Sequence, residues 1–187
     1  MSIVMKYTRK YWLLPLLFFV FTSCNDNKQE QSVEVKTEEE VKEKKEEIPD
    51  IADSSFKDGM TGTVYHYYLK VRTALFNDDL EAAKDASQNI ANSFDDDFAE
   101  LKSLSEEMAK AEDIEKLRST FSDFSVEVES LFKQNLSEGT IYKQHCPMAF
   151  NNKGAFWFAE VEEIKNPYKG EEMPKCGSIK ETIKPKK

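Results

Sequence analysis

IEKLRSTFSDFSVEVESLFKQN, residues 114–135, decides the reading of the fold. Ile114, Leu117, Phe121, Phe124, Val128, Leu131 and Phe132 recur at helical spacing and make one strong apolar face. Asp113 stands in front as an N-cap, and Gly139 follows the end. A helix this one-sided has to bury its stripe against partners.

Partners are found by working backward. Val64, Tyr68, Val71 and Leu75 form a stripe, with Tyr67 and Ala74 beside it. Asn77-Asp78-Asp79 closes that helix, and Asp78 is the expected cap of LEAAKDASQNIANSF, where Leu80, Ala83, Ala86 or Ser87, Ile90 and Phe94 share a face. Asp95 and Asp96 introduce DFAELKSLSEEMAKA, with Phe98, Leu101, Leu104 or Ser105, and Met108 aligned. Four amphipathic helices joined by short Asp-rich turns predict an all-α, antiparallel up-down four-helix bundle.

Past Gly139 the helical period stops. TIYKQHCPMAF reads as an extended segment running into Pro147, AFWFAEVEEI alternates in part, NPYKG is a turn, and GSIKETI suits a strand. The expectation is a C-terminal extended or short-β tail packed on the bundle. The domain spans 58–187, with its Cys/Met segment at 140–183.

Residues 1–24 read as a lipoprotein signal peptide. Lys6, Arg9 and Lys10 precede an apolar run of about 11 residues, Tyr11 to Phe21, short of the roughly 20 that span a bilayer. FTSC resembles a lipobox, with Phe21 where Leu is usual, so Cys24 is the expected lipidation site and a bacterial membrane the expected partner. The alternative is an ordinary secretory signal with Cys24 incidental. Residues 25–57 are charged and carry few apolar side chains. They read as a disordered tether with a reach of roughly 30 Å. The expected place is the cell envelope, facing the periplasm or the exterior.

The chain has 187 residues, a net charge of -9 and 33% charged residues. No basic stripe is present for a phosphate backbone, which argues against nucleic acid. No nucleophile elbow, His-Glu-x-x-His pair or phosphate loop occurs, so no enzyme is expected. His145 and Cys146 are neighbours on an extended chain and point opposite ways, which disqualifies them as a base–nucleophile pair. Asp95-Asp96-Asp97 reads as a cap and turn, lacking a calcium loop's spacing.

The chemistry gathers near the end. His145, Cys146 and Met148 lie close together, and Met173 and Cys176 are three apart. Thiolate, thioether and imidazole suit soft cations such as Cu(I) or Ag(I). Outside the cytoplasm, however, Cys146 and Cys176 also suit a disulfide, whose loop closure is worth about 3–4 kcal/mol. The residues alone leave both open. A sulfur–sulfur distance near 2 Å would mean a disulfide, and roughly 3.5–4.5 Å with converging thioethers would favour a shared cation.

YKQHCPMAF, NNKGAFWF, EEIKNPYKG and MPKCG stand in order, and with YYLKVRTALFNDDLEAAKDA and DIEKLRSTFSDFS upstream the sequence resembles the domain of unknown function 3347 family over about residues 60–183. The resemblance implies a secreted or periplasmic bacterial helical domain, of a kind also appended to adaptor subunits of copper and silver exporters. It therefore implies heavy-metal handling and an efflux adaptor or other envelope protein as partner. By motif position it points to Cys146, Met148, Met173 and Cys176 as ligands, with His145 weaker because an aromatic often stands there. The resulting expectation is a lipoprotein that binds Cu(I) for buffering or delivery to an efflux partner. Its alternative is an interaction module with a structural Cys146–Cys176 disulfide.

Overall fold

A computed structural model of the chain describes residues 54–186. The leader, Cys24 and most of the tether lie outside them. A short strand β1 (Ser55–Phe56) leads into helices α1 (Gly59–Phe76), α2 (Leu80–Ser93), α3 (Ala99–Ala109) and α4 (Ile114–Asn135). Then follow strands β2 (Leu136–Glu138) and β3 (Ile141–Cys146), one helical turn α5 (Ala149–Asn152), and strands β4 (Ala155–Ala159) and β5 (Ser178–Ile183).

The helices begin where their caps direct. Asp58, Asp79 and Asp113 each accept a backbone N–H from the first turn of α1, α2 and α4. Asp79, not Asp78, caps α2. Asp78 adopts a positive φ of 55° and pairs with Arg118 instead. The expected stripes are buried: Val64, Tyr68, Val71 and Leu75 meet Ile90, Met108, Phe121, Phe124 and Phe132 in one core.

The all-α expectation is overturned. The chain is mixed α/β: among the described residues the helices are joined by two antiparallel sheets. One pairs β1 with β2; the other has three strands in the order β4-β3-β5. The stretch expected to pack on the bundle as an extended or short-β tail is a sheet that completes the core, because Trp157 and Phe158 of β4 are wholly buried. Its alternation was only partial for a physical reason: β4 is buried along nearly its whole length, so a period of two is suppressed. A bulge between β3 and β5 breaks the pattern again. Lys143 faces Glu181 and Gln144 faces Ile179, which leaves Lys180 without an opposite residue.

The ordered unit also starts earlier than residue 58. Ser54 donates to Thr140 O at 3.2 Å, and the Phe56 ring lies 5.0 Å from Tyr65 and 6.0 Å from Phe132.

Two tyrosines close the outer edge of β4. Phe158 N–H donates to Tyr68 Oη at 3.0 Å, and Tyr168 Oη donates to Phe156 O at 2.7 Å. Tyr68 Oη in turn lies 2.8 Å from Ser125 Oγ, whose own proton goes to Phe121 O at 2.8 Å. The chain of donors is therefore determined: Phe158 N–H to Tyr68, Tyr68 to Ser125, Ser125 to the helix carbonyl. An edge that would otherwise bury unpaired backbone is satisfied and tied to α1 and α4. Lys143 reinforces the joint, its ammonium 2.8 and 2.7 Å from the two Glu129 oxygens of α4 and 3.7 Å from the centre of the Phe156 ring.

Candidate dithiol site

Cys146 is the last residue of β3, the central strand, and is fully buried. Pro147 follows and ends the strand. The chain then reverses through a left-handed turn, with Phe150, Asn151 and Asn152 at φ of 49°, 55° and 66°. Gly154 closes this turn at φ 78°, its N–H donating to Ala149 O at 3.0 Å. A Cβ at Gly154 would stand 2.7 Å from His145 Nε2, so glycine is required there on two counts. β4 then returns with Ala155 opposite Cys146 and Trp157 opposite Gln144.

Residues 160–177 form a strap from β4 to β5. Gln144, wholly buried, donates through Nε2 to Val161 O at 2.9 Å and Glu163 O at 3.2 Å. Asn166, also wholly buried, organises the far end: Oδ1 accepts from Tyr168 N at 2.9 Å, Nδ2 donates to Cys176 O at 2.8 Å, and its N–H reaches Pro174 O at 3.0 Å. Arg118 of α4 donates to Pro167 O at 2.9 Å. Gly177 lets the strap rejoin the sheet, since a Cβ there would meet Trp157 at 3.0 Å and His145 O at 3.2 Å.

These contacts bring Cys176 to Cys146. Both are free thiols, and their Sγ atoms are 2.9 Å apart. That distance falls between the two outcomes set out above. A disulfide needs about 2.05 Å, and two sulfurs on one tetrahedral metal at ~2.3 Å each would stand roughly 3.7 Å apart.

The two expected methionines belong to the same neighbourhood. Met148 directs its backbone N–H at the Cys176 sulfur, and Met173 O accepts the Cys176 N–H at 3.1 Å. Met148 is 44% exposed, while Met173 and Cys176 are half-buried, so the site lies at the surface with Cys146 at its floor. The Cys176 thiol is pushed up, first by sharing a hydrogen bond with Cys146 and then by burial, against the pull of Met148 N–H and Lys169.

His145 is not part of the cluster. Strand alternation turns it to the opposite face from Cys146. Its ring lies against Gly154, Nδ1 is buried without a hydrogen-bond partner, and burial, then Lys180 and Lys143, lower its pKa. Among the described residues no three His, Cys, Asp or Glu side chains group as a metal site. Gln144 Oε1 and Trp157 Nε1, facing one another across β3 and β4, are also buried without hydrogen-bond partners.

Gln144, Asn166 and Arg118 are the positioning residues that sequence reading missed. Only Arg118 carried a signal: four residues after Ile114 and three before Phe121, it puts a charge inside the apolar stripe.

Residues 64–139 match the family described as Protein of unknown function (DUF3347). No curated protein and no solved structure matches the chain. The match covers the helices from Val64 and stops at Gly139, so the three-stranded sheet and both cysteines lie beyond it. Over those helices, the chain is similar to the domain of unknown function 3347 family.

Proposed function

We propose that this domain binds a soft monovalent cation, Cu(I) or Ag(I), as cargo through Cys146 and Cys176, with Met148 and Met173 as thioether donors. It holds that cation at the envelope for buffering or for transfer to an efflux partner. Cys24 anchors the chain to the membrane.

One observation carries the reading: two cysteines 30 positions apart meet sulfur to sulfur at 2.9 Å, with the backbones of both methionines on Cys176. The donor chemistry fits, since thiolate and thioether are the ligands such cations prefer. The pair has only to open by roughly 0.8 Å to share an ion. A half-exposed Met148 and Cys176 at the mouth suit exchange with a partner better than permanent sequestration would.

The test is a competition titration of the reduced, full chain carrying Cys24→Ser against a chromogenic Cu(I) chelator. One equivalent bound, lost in Cys146→Ser and weakened in Met148→Leu and Met173→Leu, supports the reading. Unchanged affinity in Cys146→Ser sinks it. A chain isolated as a Cys146–Cys176 disulfide that survives mild reductant selects the structural alternative.

A further inference from the structure

We infer that Cys176 is the sulfur through which the pair exchanges with an external disulfide, and that Cys146 is the resolving thiol. This rests on the dithiol being the working site of the domain, and it adds a redox control to that site. The two sulfurs are unequal. Cys146 is fully buried on a central strand held on both sides by β4 and β5. Cys176 is half-buried at the end of the strap, so an incoming molecule meets its sulfur first. The 2.9 Å gap then lets Cys146 complete the reaction with a movement of under about 1 Å.

The steps balance. The Cys176 thiolate attacks one sulfur of a donor disulfide; the donor S–S bond breaks, and one half leaves and takes up a proton. Cys176 now carries a mixed disulfide. Cys146 attacks the Cys176 sulfur, its proton passes to the departing sulfur, and the second half leaves as a thiol. Two cysteines are oxidised to one disulfide, and the donor disulfide is reduced to two thiols. The disulfide and a cation shared by both sulfurs exclude each other, so exchange at Cys176 decides whether the site can load.

The experiment uses the full chain with Cys24→Ser, reduced, mixed with glutathione disulfide, quenched with acid at intervals and mapped by mass spectrometry. The wild-type pair is expected to lose two hydrogens and pass through an adduct on Cys176. Cys146→Ser and Cys146→Ala are expected to accumulate one glutathionyl group on Cys176. Cys176→Ser is expected to react at least about tenfold more slowly. Early adducts on Cys146, equal rates in the two serine variants, or a wild-type dithiol that persists in excess glutathione disulfide each overturn the proposal. Mapping the early adduct on the wild type keeps the result clear of any folding defect in the variants. Cu(I) titration of the same reduced sample separates the readings. Binding without exchange removes only this inference, and exchange without binding removes only the cation assignment.

Discussion

Replacing Arg118 by methionine should cost far more than a surface ion pair is worth. Its side chain is only 7% exposed and reaches four groups. Nε donates to Pro167 O at 2.9 Å, and Nη2 donates to Leu75 O at 3.1 Å and to Asp78. Nη1 meets Glu115 at 2.6 Å. Glu115 is 72% exposed, so that pair contributes little. The two backbone carbonyls dominate. Pro167 O loses its charged donor at about 1–3 kcal/mol, and Leu75 O loses less because the Asp78 N–H still reaches it at 3.3 Å. Asp78, 45% exposed, recovers much of its loss from water. The sum is a destabilisation of about 2–5 kcal/mol. Urea unfolding followed by far-UV circular dichroism measures it. Arg118→Lys keeps the charge but cannot reach both carbonyls, and should recover less than half. Pro167 lies in the strap that delivers Cys176, so alkylation of Cys176 should also quicken in Arg118→Met. A loss below about 1 kcal/mol, or a lysine variant equal to wild type, would refute the account of Arg118 as a buried clamp.

Further outcomes follow from the same contacts. Tyr68→Phe leaves Phe158 N–H and Ser125 Oγ without their partner in a fully buried place, and should cost about 1–3 kcal/mol by urea unfolding. Gly154→Ala combines a positive φ with a contact on His145, and should cost about 2 kcal/mol or more, with heteronuclear NMR shifts centred on residues 145 and 154. Burial raises the Glu129 carboxyl, but hydrogen bonds from Lys133 and Lys143 bring it below its ordinary value. The sign is that of a depressed acid. Its stabilisation is present above the unfolded value near ~4.3 and is lost as pH falls through the lower folded value. Glu129→Gln should therefore flatten the unfolding curve below about pH 4 and leave its slope unchanged between about pH 5 and 8; an identical acid limb in both proteins would contradict it.

The helices were legible because each writes its own stripe. Leu117, Phe121, Phe124 and Val128 announce a buried face without reference to any other segment, and capping aspartates mark where α1, α2 and α4 begin. Even there, the choice between Asp78 and Asp79 was settled by Arg118, forty residues away. The sheet was visible only in fragments. β3, β4 and β5 were each readable as extended chain, but their union depends on Ile141 meeting Ile183 and on a bulge at Lys180, neither of which leaves a local mark. The meeting of the sulfurs was open to a guess from clustering, whereas the residues that enforce it were not. Gln144 and Asn166 act on backbone carbonyls and N–H groups of the strap, and any residue type can supply a carbonyl. His145 was grouped with the sulfurs by sequence adjacency, which on a strand is the arrangement that separates side chains.

The boundary of the family match, at Gly139, does not coincide with a boundary in the packing. The Phe158 ring stands 5.6 Å from Phe132 and 5.9 Å from Tyr68, both on the matched helices. Trp157 and Phe158 each bury on the order of 150–250 Å², worth at most about 4–6 kcal/mol apiece by area. The helices thus lack a side without the sheet, and the sheet is aligned by the helices. That mutual dependence fixes Cys146 as firmly as the core itself. Cys176, in contrast, is held by hydrogen bonds at the far end of the strap, which adjust at smaller cost than close-packed rings do. One sulfur is fixed and the other can travel, and their separation of 2.9 Å lies under about 1 Å from a disulfide on one side and from a shared cation on the other. A site placed between two covalent outcomes in this way needs no large motion to adopt either.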